Sequence, residues 1–172
     1  HALNQKGMGR KAAAQLGKKY EECNFIICHL GGGVSTGAHQ KGRVVDVCNV
    51  KDEGSMGMDR GGGLPVNAVV DYCFSGKTKA EVKQTLGHES GMFSYLGTTD
   101  FRTVEDRVKA GDEAAVAAYN ALVYQMSKDI GSMGAVLRYD VDAIVLTGGI
   151  AYGKMFCDDI ESFVGKLAPV MR

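Results

Sequence analysis

The sequence predicts an α/β domain: a helix, three antiparallel strands, several helices, a strand parallel to the first, and a closing helix. Three strand-like runs, Phe25 to Leu30, Val34 to Gln40 and Arg43 to Val50, are parted only by Gly31-Gly32-Gly33 and by the tight Lys41-Gly42 turn, which is the spacing of a meander. Val116, Tyr119, Val123, Met126, Ile130, Met133 and Leu137 recur at intervals of three and four, one apolar face of a long helix. Asp142 to Thr147 is a short apolar run that ends in Gly148-Gly149, as a buried strand does. All four strands are expected in one sheet, with the Asp112 to Arg138 helix on a face.

The elements follow in order. His1 to Tyr20 reads as an uncapped helix in spite of Gly7 and Gly9, because Ala12, Ala13, Ala14 and Leu16 favour it. A domain rarely opens inside an element, so His1 is expected to mark a cut in a longer protein. After the meander comes a glycine-dense loop, Lys51 to Gly63, and then a helix that Pro65 starts and Gly76 stops. A short helix follows from Thr78 to Leu86, and another is capped by Asp100 and ends near Gly111. Asp112 and Glu113 open the long helix, and about Asp158 to Leu167 forms the last one.

Composition narrows the function. Twenty basic and twenty acidic residues cancel in a chain of 172, so no global field draws it to nucleic acid or an anionic membrane. The length suits one domain, not two complete enzyme domains, and a hydrophobic fraction of 45% excludes disorder. No apolar run nears the ~18 residues of a membrane span and no signal segment opens the chain, so a cytoplasmic protein is expected. Five cysteines without a C-x-x-C pair read as reduced, mostly buried thiols. The 24 glycines are about twice the ordinary share, and they bunch at Gly31 to Gly33, Gly54 to Gly63 and Gly148 to Gly149, which suggests backbone approaching a ligand.

In His29-Leu30-Gly31-Gly32-Gly33, successive amides between two strands can wrap an anion such as a phosphate, or the loop can be a loose hairpin. The dinucleotide fingerprint fails, because the third glycine is one residue late and a strand follows; the Walker pattern fails at Asp71. His29 ends a strand beside the loop and can donate to a phosphoryl oxygen. Its neighbour Cys28 faces the other way, which excludes a Cys-His pair. His39 and His88 read as structural, and no histidine spacing suggests a metal site. Arg60, on a mobile glycine-rich loop, suits anion capture or a surface pair with Asp59. Gly148-Gly149-Ile150 lies where a strand ends, either a ligand position or an ordinary turn.

Taken together, His1-Ala2-Leu3-Asn4-Gln5-Lys6, Cys28 through Gly33 to His39, Gly42-Arg43-Val44, Gly63-Leu64-Pro65, Tyr95 to Thr98 and Leu146 to Tyr152 resemble the acetate and butyrate kinase family of short-chain acyl kinases. The resemblance implies a ribonuclease-H-like fold of the acetate kinase, sugar kinase, heat-shock and actin group, with residues 1–172 forming most of the second, carboxyl-terminal domain of a two-domain kinase and 1–20 its first, inter-domain helix. The amino-terminal domain and an extreme carboxyl-terminal segment would then be absent. It implies that ATP phosphorylates a short-chain fatty acid carboxylate, butyrate first, to an acyl phosphate and ADP. By the same resemblance His29 with Gly31, Gly32 and Gly33 forms a phosphate loop, Gly148, Gly149 and Ile150 an adenosine loop, and His1 and Arg60 line the phosphoryl-transfer site. Mg2+ ligands are expected mainly outside these residues, so the isolated chain is expected inactive, and the whole protein is expected to be a homo-oligomer. The segment Ser55 to Gly61 is nearer to acetate kinases, which keeps acetate or propionate as alternative acceptors. A non-catalytic actin-like or sugar-kinase-related nucleotide-binding regulator is the reading from another class.

Overall fold

The computed structural model describes residues 1–49 and 53–172. A helix, α1 (Ala2–Gln15), leads through a short 3-10 turn at Tyr20–Glu22 into β1 (Asn24–Leu30), β2 (Val34–Gln40) and β3 (Arg43–Asn49). The helix ends five residues before the predicted Tyr20, because Gly17 turns left-handed (φ 68) and Lys18 N–H bonds back to the Ala13 carbonyl at 2.9 Å, a Schellman closure. The predicted strand end at Val50 and loop start at Lys51 lie outside the described residues.

Four helices follow: α2 (Val66–Cys73), α3 (Lys79–His88), α4 (Gly91–Leu96) and α5 (Phe101–Lys109). Thr78 and Glu81 close a reciprocal capping box on α3, and Asp100 caps α5 by accepting from Arg102 N. The sequence did not announce α4. Next come the 24-residue α6 (Glu113–Val136), capped by Asp112, then β4 (Ala143–Thr147) and, after a 3-10 turn at Ile150–Tyr152, α7 (Lys154–Val164). The last helix starts four residues before the predicted Asp158, since the chain re-enters helix as soon as Gly153 clears that turn.

Among the described residues one sheet forms in the order β3-β2-β1-β4-β5, where β5 is the two-residue Val170–Met171. The meander is antiparallel and β4 lies parallel to β1, as expected; β5, parallel to β4, is an addition to the predicted fold. The alternation of β1 divides the core. Ile26, Cys28 and Leu30 join α4 to α7 in the larger cluster, around Leu122, Met126 and Ile130 of α6. Phe25 and Ile27 meet Ala12, Ala13 and Tyr20 on the opposite face, under α1. No described helix is long and apolar enough to cross a membrane.

Candidate functional site

The register of β1 decides where the glycines go. His29 stands opposite Ser35 in β2 and opposite Thr147 in parallel β4, so the loop leaving β1 and the loop leaving β4 emerge side by side. They touch: Gly148 is left-handed (φ 96), and a Cβ there would collide with the Leu30 carbonyl. Only glycine fits that crossing. Gly31, Gly32, Gly149 and Ile150 then line one cleft of about 620 Å³, so the two segments singled out from the sequence face the same space.

At the Gly33 end three side chains converge. A Cβ on Gly33 would lie 3.2 Å from both His1 Nε2 and Arg60 Nη1. The His1 and His29 rings meet edge to face at 4.6 Å between centroids. Each histidine has a fixed partner, His1 Nδ1 with Ser35 Oγ at 2.8 Å and His29 Nδ1 with Asn4 Oδ1 at 2.9 Å. Burial lowers the pKa of His29. An anion at Gly33 would meet two imidazoles and a guanidinium, groups that supply donors or positive charge, while the Gly31 N–H is taken by the Gly33 carbonyl at 3.1 Å.

Arg60 does not ride on a mobile loop, contrary to the sequence expectation. Ser55 N and Oγ both donate to Asp129 Oδ2 (2.7 and 2.6 Å), and Met56 N donates to Gln125 Oε1 at 2.8 Å, tying the segment to α6. Backbone N–H groups of α4 hold the other side: Met92 N bonds Gly57 O at 3.1 Å and Phe93 N bonds Met58 O at 2.8 Å. Met56 and Met58 are buried beneath. The Arg60 side chain is about one-third exposed and its Nε stands 3.7 Å from Asp59 Oδ1, so the surface pair and the placement beside Gly33 coexist.

The far wall of the cleft was not foreseen. Thr99, Asp100, Phe101 and Arg102 at the start of α5 line it, with Glu105, Tyr152 and Gly153. Asp100 had been legible only as a cap, which it is; the Arg102 amide keeps its carboxyl below the usual range. Glu105 Oε1 is buried without a hydrogen-bond partner among the described residues. His39 is the structural histidine expected, fully buried, whereas His88 is exposed and apart from the cleft. Cys28 is fully buried on the core face, away from His29. Among the described residues no three His, Cys, Asp or Glu side chains gather as a metal site would require.

The sequence pattern of the acetokinase family matches residues 1–167. The chain belongs to the acetokinase family. Butyrate kinase 1 of Clostridium acetobutylicum is 46% identical over 174 residues, covering 100% of this chain and 49% of its own length. A probable butyrate kinase of Listeria innocua is 49% identical over 173 residues, with 99% and 49% covered. Among solved structures, a propionate kinase from Francisella tularensis superposes with a TM-score of 0.83 at 26% identity, over 94% of this chain and 42% of that one. The fold of this acetokinase-family chain is therefore ribonuclease-H-like. The chain spans about half the length of the curated relatives it matches.

Proposed function

We propose that residues 1–172 form most of the second, nucleotide-binding domain of a short-chain fatty acid kinase, which moves the terminal phosphoryl of ATP onto a carboxylate, butyrate being the preferred acceptor. One observation carries the reading: His1, His29 and Arg60 meet at Gly33, the last glycine of the loop whose Gly31 and Gly32 line one cleft with Gly149 and Ile150. In this reading a nucleotide lies with its phosphates toward Gly31 to Gly33 and its adenosine toward Gly149, Ile150 and the start of α5. The family, and the names of the two relatives above, support the class of reaction.

In the step proposed, a carboxylate oxygen attacks the γ-phosphorus and forms the new P–O bond, while the bond to the β-phosphate oxygen breaks and ADP leaves with its electron pair. No covalent intermediate is needed. The residues present contribute position and charge: the loop amides hold the phosphates, while His1, His29 and Arg60 face the equatorial oxygens, where charge must be stabilised. A nucleotide fits these residues, since the glycine backbone at Gly32 is open. Mg2+ would neutralise the phosphates; among the described residues no three His, Cys, Asp or Glu side chains gather to hold it, its ligands are expected mainly outside residues 1–172, and no step here is routed through it.

The test is hydroxamate trapping of acyl phosphate by the full-length protein with C2 to C5 acids, in the cytoplasmic, homo-oligomeric form proposed for it. The expected result is ATP-dependent product with the highest kcat/KM for butyrate and none from residues 1–172 alone. A higher value for acetate or propionate would reassign the acceptor. Nucleotide binding without product from the full-length protein would make it a regulator and overturn the kinase reading.

A further inference from the structure

A chain of buried hydrogen bonds runs from the site to the opposite end of β2. His1 Nδ1 meets Ser35 Oγ (2.8 Å), Gln5 Nε2 meets the same oxygen (3.0 Å), Gln5 Oε1 meets His39 Nε2 (3.0 Å), and His39 Nδ1 meets the Tyr20 hydroxyl (2.6 Å). Ser35, Gln5, His39 and Tyr20 are each at most 4% exposed. Burial, with Lys6 second, lowers the pKa of His39 to about 4, so near neutral pH its ring carries a single N–H.

A chain of this kind admits two registers in which the Ser35 proton is bonded; a third, with His1 and Gln5 both donating to Ser35 Oγ, strands that buried proton. In one, Tyr20 donates to His39 Nδ1, His39 Nε2–H donates to Gln5 Oε1, Gln5 Nε2–H donates to Ser35 Oγ, and the Ser35 hydroxyl is left to donate to His1 Nδ1. In the other every donation reverses, the Gln5 amide turns over, and His1 donates from Nδ1. The reversed register strands the Tyr20 proton: among the described residues His39 is the one polar partner of that buried hydroxyl. A buried donor without an acceptor disfavours that register by roughly tenfold or more.

We propose that Tyr20, His39, Gln5 and Ser35 are positioning residues that hold neutral His1 as its Nε2–H tautomer, so that it presents a hydrogen-bond donor, not a lone pair, toward Gly33. His1 Nε2 stands 3.2 Å from where a Gly33 Cβ would sit, beside Arg60. A lone pair there would repel a phosphoryl oxygen; an N–H binds it. The use of that proton in turnover rests on the kinase reading above, but the tautomer does not.

The experiment is long-range 1H–15N correlation spectroscopy on the full-length protein labelled at histidine nitrogen, with His1 assigned from the signal lost in His1→Gln. Wild type should show a pyridine-type Nδ1 and a pyrrole-type Nε2 at His1. Tyr20→Phe keeps the ring but leaves His39 Nδ1 without a partner in either register, as a bare acceptor in the first and a stranded donor in the reversed one, so the gap between them narrows, the reversed register gains population and the His1 nitrogen signals move toward each other. With at most about half the molecules in the wrong tautomer, kcat should fall by up to about twofold at unchanged KM for the carboxylate, and further in Ser35→Ala, where His1 also loses its anchor. A pyrrole-type Nδ1 in the wild type overturns the proposal whatever the variants do. So do His1 signals unmoved in folded Tyr20→Phe and Ser35→Ala, or signals that move while kcat does not. A wild type with no kinase turnover would refute the kinase reading and leave the spectra to judge the tautomer.

Discussion

Gly32→Ala separates a loop that needs glycine for its ligand from one that needs it for folding. A Cβ at Gly32 meets nothing within 4 Å, and its φ is not among the left-handed ones. The folded state therefore accepts alanine, and the restricted unfolded chain should raise stability by about 0.4–1 kcal/mol. The new methyl would nevertheless stand in the cleft wall where phosphates are placed. Displacing one phosphate oxygen from an amide removes a charge-assisted hydrogen bond of about 1.5–3 kcal/mol, or roughly 10- to 150-fold in affinity. Gly148→Ala is the opposite case, for its Cβ collides with the Leu30 carbonyl and its φ of 96 is unfavourable to alanine. It should lose at least about 1–2 kcal/mol from the backbone conformation alone. The assay is thermal unfolding paired with ATP titration calorimetry on the full-length protein. A Gly32→Ala protein that melts several degrees lower and binds ATP as wild type would refute the placement of phosphate at this loop.

Three other outcomes are expected. Arg60→Ala should leave the melting temperature almost unchanged, since its pair with Asp59 is a surface one at 3.7 Å, while turnover falls about a hundredfold or more and Arg60→Lys recovers part; normal turnover with a lowered melting temperature would make Arg60 structural. His39 is held neutral with a pKa of about 4 against 6.5 unfolded, so the unfolded chain binds more protons between those values and stability should drop by about 3 kcal/mol as pH falls from 6.5 to 4; denaturant unfolding across that range should show the slope, and an equal slope in His39→Gln would assign it elsewhere. Cys73 is the exposed thiol, Cys23, Cys28 and Cys157 are buried, and half-buried Cys48 is pushed up to about 11, chiefly by burial, so a thiol reagent at pH 8 should titrate one fast equivalent from residues 1–172 that Cys73→Ser removes; a fast equivalent remaining in that variant contradicts the protection of the other four.

The meander and α6 were legible because each repeats a period: alternation with glycine turns in one, a stripe from Tyr119 to Leu137 in the other. The elements missed are those too short to have a period. The helix α4 has six residues, and Gly91 at its start reads as a breaker until the Gly57 carbonyl is seen packed where a Cβ would be. The strand β5 is two residues paired to β4. In the site, the glycine clusters identified themselves by density. The start of α5 did not, because nothing in Thr99 to Arg102 distinguishes a cleft wall from a capped helix until the fold carries it into the same cleft as Gly149. Arg60 was found but its support was not, since Asp129 and Gln125 lie about seventy residues away on α6.

That support shows how folding and site assembly are one event. Arg60 is held through α6 and α4, His29 through β1 and Asn4 of α1, and His1 through Ser35 of β2. None of the three is positioned by its own segment alone. The parallel pairing of β1 with β4 sets the Leu30 carbonyl against Gly148, so a one-residue slip would both invert the core faces of the strand and part the glycine loops. Placing these donor groups on such over-determined backbone would reduce the reorganisation that the proposed anion requires, which is the condition under which fixed donors stabilise developing charge better than water can.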